Sequence, residues 1–138
     1  MIVRFFVPGK PVPKGRPRVT KWGTYTPKST VEYERRIKNA WLDLKALPFP
    51  PNTPLFINVH VHFEIPKSES KKKRAALNGQ PHTKRGDLDN VVKCVLDALN
   101  EMAFPDDSAV VAIFADKYWD ENPRTEITIG EWKVTHVE

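Results

Sequence analysis

The chain has 138 residues and a single cysteine, Cys94. No disulfide can form within it, so stability must come from a buried apolar core, and a reducing, cytoplasmic setting is expected. Cys94 lies in an apolar run with no histidine near it in sequence, which points to a core position. No apolar run approaches the roughly 20 residues that cross a bilayer, so no membrane association is expected. The opening MIVRFFVPGK carries Arg4 and reaches a Pro-Gly break too soon for a secretory leader. Zinc-like spacing is missing as well. His60 and His62 share one strand face, but no second His or Cys cluster supports them. There is no internal repeat and no dividing linker, so residues 1–138 are expected to form one domain.

Acidic residues are in the minority, 17 against 22 Lys and Arg, for a net charge of +5. The surplus is uneven. Residues 10–21 hold five Lys or Arg and no acid, and residues 67–85 hold seven with one Glu. Both stretches are rich in Pro, Gly and Ser. Clustered positive charge on loops suits a polyanion, because binding releases phosphate counterions. Lys10, Lys14, Arg16 and Arg18 in the first stretch are candidate DNA contacts, as are Lys71, Lys72, Lys73, Arg74, Lys84 and Arg85 in the second. A solvated lysine surface is the plainer reading of either run alone.

Residues 2–7 read as a strand that stops at Pro8-Gly9, and the proline-rich stretch to Lys28 has room for neither a helix nor a central strand. Twenty ordered residues without regular structure are often functional. Ser29 and Glu32 form a capping-box pattern ahead of a helix whose apolar stripe is Tyr33, Ile37, Ala40, Trp41 and Leu44. Residues 55–65 alternate, with Leu55, Ile57, Val59, Val61, Phe63 and Ile65 on one face and Asn58, His60, His62 and Glu64 on the other. A short helix is expected around Lys71 to Leu77, ended by Asn78-Gly79. A longer one is expected from Asn90 to Ala103, followed by strands over 109–119 and 124–132. The order β-α-β-α-β-β predicts an α/β or α+β domain, with a mixed sheet of about four strands and two main helices packed on it.

Against the basic background, two acidic pairs stand out: Asp87/Asp89 and Asp106/Asp107. In extended backbone Asp87 and Asp89 project to one side while Leu88 turns to the core. Asp89 or Asn90 suits an N-cap, and a helix N-terminus favours the ionised carboxylate. Lys93 lies one turn beyond Asp89, and Asp97 continues that stripe. A helix of about fourteen residues spans roughly 20 Å. The second pair therefore meets the first only if the chain returns or another subunit supplies it. Oxygen ligands without Cys or His support suit Mg²⁺, with Mn²⁺ as a substitute. The plain alternative is capping at one site and a turn at the other.

The segment DLDNVVKCVLDAL, a short connection and DDSAVV resembles the RusA family of Holliday junction resolvases. The resemblance is close over residues 84–111 and looser over residues 11–18, YTPKS at 25–29 and PRTEITI at 123–129. It implies that Asp87, Asp89 and one of the later pair, for which Asp107 matches best, ligate Mg²⁺, that Lys93 is the catalytic lysine, and that Asp106 is the alternative or additional acid. It also implies a homodimer acting on four-way, branched DNA with symmetric nicks, in recombination and repair. A non-catalytic nucleic-acid-binding module and a metal nuclease for flaps or forks are the rival readings. His82, in the basic loop, is a candidate phosphate contact. Trp22 is a candidate for base stacking, and Tyr25 is expected to pack its loop against the domain. Glu64 and Asp116 lie on strands of undetermined facing.

Overall fold

The alternating segment is the centre of the sheet. In the computed structural model, which describes residues 1–133, strand β4 (Leu55–Glu64) buries Leu55, Ile57, Val59 and Val61 completely. The last five residues of the expected domain lie outside that range. β4 pairs in parallel with β5 (Val110–Asp120) and antiparallel with β6 (Arg124–Glu131). β6 pairs on its other side with β1 (Ile2–Pro8), giving a mixed four-stranded sheet in the order β1-β6-β4-β5. A parallel pair needs a long crossover. The chain between β4 and β5 supplies it with α2 (Lys71–Leu77) and α3 (Leu88–Leu99).

α3 and α1 (Lys28–Asp43) pack together and cover one face of the sheet. α1 buries Tyr33, Ile37 and Trp41, one turn apart along a single stripe; α3 buries Val91, Val92, Cys94, Val95, Ala98 and Leu99. Removing a fully buried side chain of this size exposes a cavity and costs about 2–5 kcal/mol. Within the core the Tyr33 hydroxyl and Thr125 Oγ1 satisfy each other, 2.5 Å apart. Cys94 is fully buried, and burial pushes its thiol up to about 12, so it is an inert core residue.

The expected α+β class, mixed sheet, two main helices and short α2 are all present. Three local readings change. The proline-rich stretch holds a small hairpin, β2 (Arg18–Thr20) with β3 (Gly23–Tyr25). Its strands are three residues long and exposed throughout, so no apolar alternation betrays them. The Ser29/Glu32 capping box does not form. Pro27 takes the N-cap position with extended ψ, so Ser29 is already inside the first turn, and Glu32 pairs instead with Arg35. Finally, α3 starts and ends earlier than expected. Asn100 leaves the helix, and Glu101 adopts a left-handed φ of 63°.

Candidate active site

That earlier start decides the geometry of the first acidic pair. Asp87 is the N-cap residue, with extended backbone, and Asp89 is the second residue of the helix. They do not alternate along a strand, as the spacing suggests; they flank the first turn of α3. Both are exposed. Asp87 makes no side-chain capping hydrogen bond, and among the described residues no ion pair engages either carboxylate. Two unpaired carboxylates thus share the first turn of α3.

The proline-rich loop is held over this turn. The Lys14 amide donates to Asn90 O at 2.8 Å, and the Gly15 amide to Thr30 Oγ1 at 3.1 Å. Lys14 Nζ reaches Glu34 at 2.6 Å on α1 and Asp97 at 3.0 Å on α3, tying the loop to both helices. Burial alone would lower the Lys14 pKa, but the bonds to Glu34 and Asp97 outweigh it and raise the group above its ordinary value. Arg36 fastens the loop's start by donating to the carbonyls of Pro8 and Lys10. The result is a cleft of about 400 Å³ lined by Lys14, Gly15, Arg16, Pro17, Asp89, Asn90 and Lys93. Arg16 and Lys93, which no ion pair among the described residues engages, bring cations to the edge of the acidic turn.

The second pair sits at the opposite end of α3. Asp107 donates its amide to the Oδ1 of Asn100, the residue that ends the helix, at 3.1 Å. At 1.5 Å rise per residue, the twelve-residue helix separates the two pairs by about 18 Å. The chain alone therefore does not bring Asp107 to Asp87 and Asp89. Among the described residues, no three His, Cys, Asp or Glu side chains form a metal-binding group. The two acids of the second pair also differ from each other. Asp106 uses its carboxylate to cap the short 3₁₀ turn at Asp107–Ala109, and hydrogen bonds from the Ser108 side chain and amide hold it below the ordinary carboxylate range. Asp107 carries no such duty.

A family model described as endodeoxyribonuclease RusA matches residues 8–130. The chain belongs to the RusA endodeoxyribonuclease family. A relative in Bacillus subtilis (strain 168), named uncharacterized protein YqaN, is 37% identical over 138 residues, covering 94% of this chain and 96% of its own. The RusA match makes the protein a nuclease, and nucleases of this family generally depend on a divalent metal. The first turn of α3 fits such an ion in its chemistry. Mg²⁺ commonly takes one or two protein carboxylates and fills its remaining positions with water and phosphate. Asp87 and Asp89 offer two unpaired hard-oxygen donors of that kind.

On this RusA scaffold the expected DNA contacts divide in two. Lys10, Arg16, Arg18, Lys71, Lys72, Lys84 and Arg85 are exposed, and no ion pair among the described residues engages them. Lys14 is instead bound to two acids, Lys73 pairs with Glu69 at 3.2 Å, and Arg74 lies 3.5 Å from Glu121. Trp22 stands 86% exposed at the tip of the β2–β3 hairpin, with Lys21 Nζ 5.0 Å from its ring centre. Tyr25, expected to pack, is half exposed, because its three-residue strand has no core to face.

The remaining candidates leave the acidic turn. Asp116 and His60 pair at 2.5 Å on the sheet face that no helix covers, and the Tyr118 hydroxyl donates to Asp116. His62 lies on that same face, near Asp120 and Glu126. Glu64 is exposed, with Lys67 at 4.0 Å. His82 is not a phosphate contact: it is buried between the rings of Phe63 and Trp119, with centroids at 4.4 and 4.3 Å. The residue that sequence reasoning missed is Lys117, whose Nζ donates to the carbonyls of Lys84 and Gly86. Its partners lie some thirty positions away, a contact that no local pattern signals.

Proposed function

We propose that the protein is a Mg²⁺-dependent endonuclease that resolves Holliday junctions by paired, symmetric nicks, working as a homodimer in DNA recombination and repair. The observation that carries this reading is the pair of unengaged carboxylates, Asp87 and Asp89, beside a cleft that also holds Arg16 and Lys93, in a RusA-family chain. Asp87 and Asp89 hold the ion, with Asp107 of a second copy completing the set. An ion held by these carboxylates would supply water activation and charge stabilisation for in-line attack on a phosphodiester. Lys93 neutralises charge developing on the transferring phosphate. Arg16 orients the phosphate at the cleft mouth, and Lys71, Lys72, Lys84 and Arg85 grip the flanking arms. Products carry 5′-phosphate and 3′-hydroxyl ends.

The free edge of β5 supports supply of Asp107 in trans. β5 pairs with β4 on one side, and on the other the segment 79–82 bonds only to its far end, through Trp119, Lys117 and a bridge from Pro81 to Tyr118. Among the described residues nothing pairs with the outer edge of 110–116, where Val111, Ile113 and Phe114 are exposed. Such an edge is a template for another strand. Antiparallel pairing of two copies, centred on Ile113, would pair residues 110–116 of each with the other and place the partner's Asp107 just beyond the paired stretch, towards the end of β5 that segment 79–82 covers. Near that end of β5, Lys117 donates to the carbonyl of Gly86, one residue before Asp87.

The test is cleavage of a synthetic four-way junction, with a replication fork and plain duplex as comparisons. With Mg²⁺ the junction should be nicked in preference to fork and duplex, and a chelator should stop the reaction. Asp87→Asn should bind the junction as well as wild type does and leave it uncut. A junction left intact by wild-type protein at every concentration contradicts the proposal. Tight binding without cleavage would favour a DNA-binding module.

A further inference from the structure

We infer that Lys117 is a positioning residue for the metal site, clamping the turn that presents Asp87. This rests on the reading of Asp87 and Asp89 as metal ligands. Asp87 does not use its carboxylate to cap α3, so the direction of that side chain is set by the backbone path through residues 84–87. Three contacts fix this path. Lys117 Nζ donates to Lys84 O at 2.9 Å and to Gly86 O at 3.1 Å, closing the turn with one ammonium. Gly86 has a φ of +119°, and a Cβ there would lie 2.6 Å from Phe63 Cζ, so the turn presses against that ring. Behind the ring, His82 stacks between Phe63 and Trp119, and its amide donates to Lys117 O at 3.1 Å. Further along β5, the Trp119 amide donates to Gln80 O and its carbonyl accepts from the Gly79 amide.

Segment 79–86 is thus anchored to β5 along its length, and among the described residues Lys117 is the only side chain that donates to both carbonyls flanking Arg85. Its ammonium is used by these two carbonyls, and among the described residues it forms no ion pair with Asp87 or Asp89. Lys117 touches no substrate in this reading. It keeps Asp87 and Asp89 at the spacing an ion requires, as partners behind metal ligands commonly do. Loss of such a partner typically lowers metal affinity by about 10–100-fold.

The experiment compares wild type, Lys117→Met and Lys117→Arg. Methionine keeps the stem and removes every donor; arginine retains donors for two carbonyls. Mn²⁺ binding is measured by calorimetry on protein without DNA, and the Mg²⁺ concentration for half-maximal junction cleavage is measured separately. Lys117→Met should weaken both by at least about tenfold, leave metal-free junction binding unchanged, and melt within a few degrees of wild type. Lys117→Arg should recover most of the loss. A folded Lys117→Met with wild-type Mn²⁺ affinity and Mg²⁺ requirement overturns the inference. If Lys117→Met does not fold, Lys117→Gln decides by the same two measurements. Wild-type protein that binds no Mn²⁺ overturns the metal reading and this inference together. Binding by wild type and Lys117→Met alike overturns this inference alone.

Discussion

The two ends of α3 carry the same charge and opposite local roles. At the N-terminus, Asp87 and Asp89 sit where a helix welcomes anions, yet neither is engaged, and a pinned basic loop stands over them. At the other end, Asp106 is occupied by capping a 3₁₀ turn, while Asp107 is held only through its backbone. Two acids beside each other in sequence are therefore not two copies of one function. What separates them is whether the local fold already uses the carboxylate.

The contrast within the second pair is the place to break this account first. Asp107→Asn should reduce junction cleavage by at least about a hundredfold, the scale on which removing one group from a cooperating active-site set acts. Asp106→Asn should leave cleavage within a few-fold of wild type and cost only a little thermal stability through the weakened cap. Reaction rates for the two variants at saturating Mg²⁺ check this, and equal losses would erase the distinction.

A second comparison, between basic residues already paired and those left open, gives a smaller effect. Replacing Lys71 and Lys72 with Ala should weaken junction binding and lower the salt dependence of log K by about one per lost phosphate contact. Lys73→Ala should change that slope little, because Lys73 already faces Glu69. Titrations of labelled junction at several salt concentrations measure both.

The smallest effect concerns pH. Burial holds the His82 imidazole below its ordinary value of 6.5, and the charge of Lys117 lowers it further. A folded pKa below the unfolded one means that the unfolded chain takes up protons first as pH falls. Stability from the neutral ring is complete above the ordinary value and is lost as pH falls from there through the lower folded value. Melting temperature should decline by a few degrees over that range in wild type and by less in His82→Phe, which keeps the stack and cannot protonate. Parallel declines in the two proteins would remove His82 as the cause.

Much of the fold could be read along the chain wherever burial imposes a period. β4 shows it in five alternate buried residues and α1 in Tyr33, Ile37 and Trp41. α2 was legible at its end, from Asn78-Gly79, whereas the Ser70 cap at its start was not read from the sequence. The β2–β3 hairpin was not, because exposed three-residue strands bury nothing and leave no pattern. The candidate site was legible in composition but not in arrangement. Asp87, Asp89 and Lys93 stand out by spacing, whereas the use of Lys14 by Glu34 and Asp97 depends on two helices meeting. His82 looked like part of a basic loop, and only the approach of Phe63 and Trp119 makes it a core residue. The separation of Asp107 from Asp87 follows from where α3 stops, which Asn100 and Glu101 fix by backbone conformation.

The most direct measurement of a site shared between two copies is complementation. Asp87→Asn and Asp107→Asn proteins, each inactive alone, are mixed, allowed to exchange subunits, and given a four-way junction with Mg²⁺. In a shared site, one of the two centres in each mixed dimer keeps Asp87, Asp89 and the partner's Asp107 intact, so nicking activity should reappear on mixing, as single uncoupled nicks. If every centre draws all its acids from one chain, both centres stay broken and the mixture remains inactive. That outcome, with subunit exchange confirmed, would contradict the account.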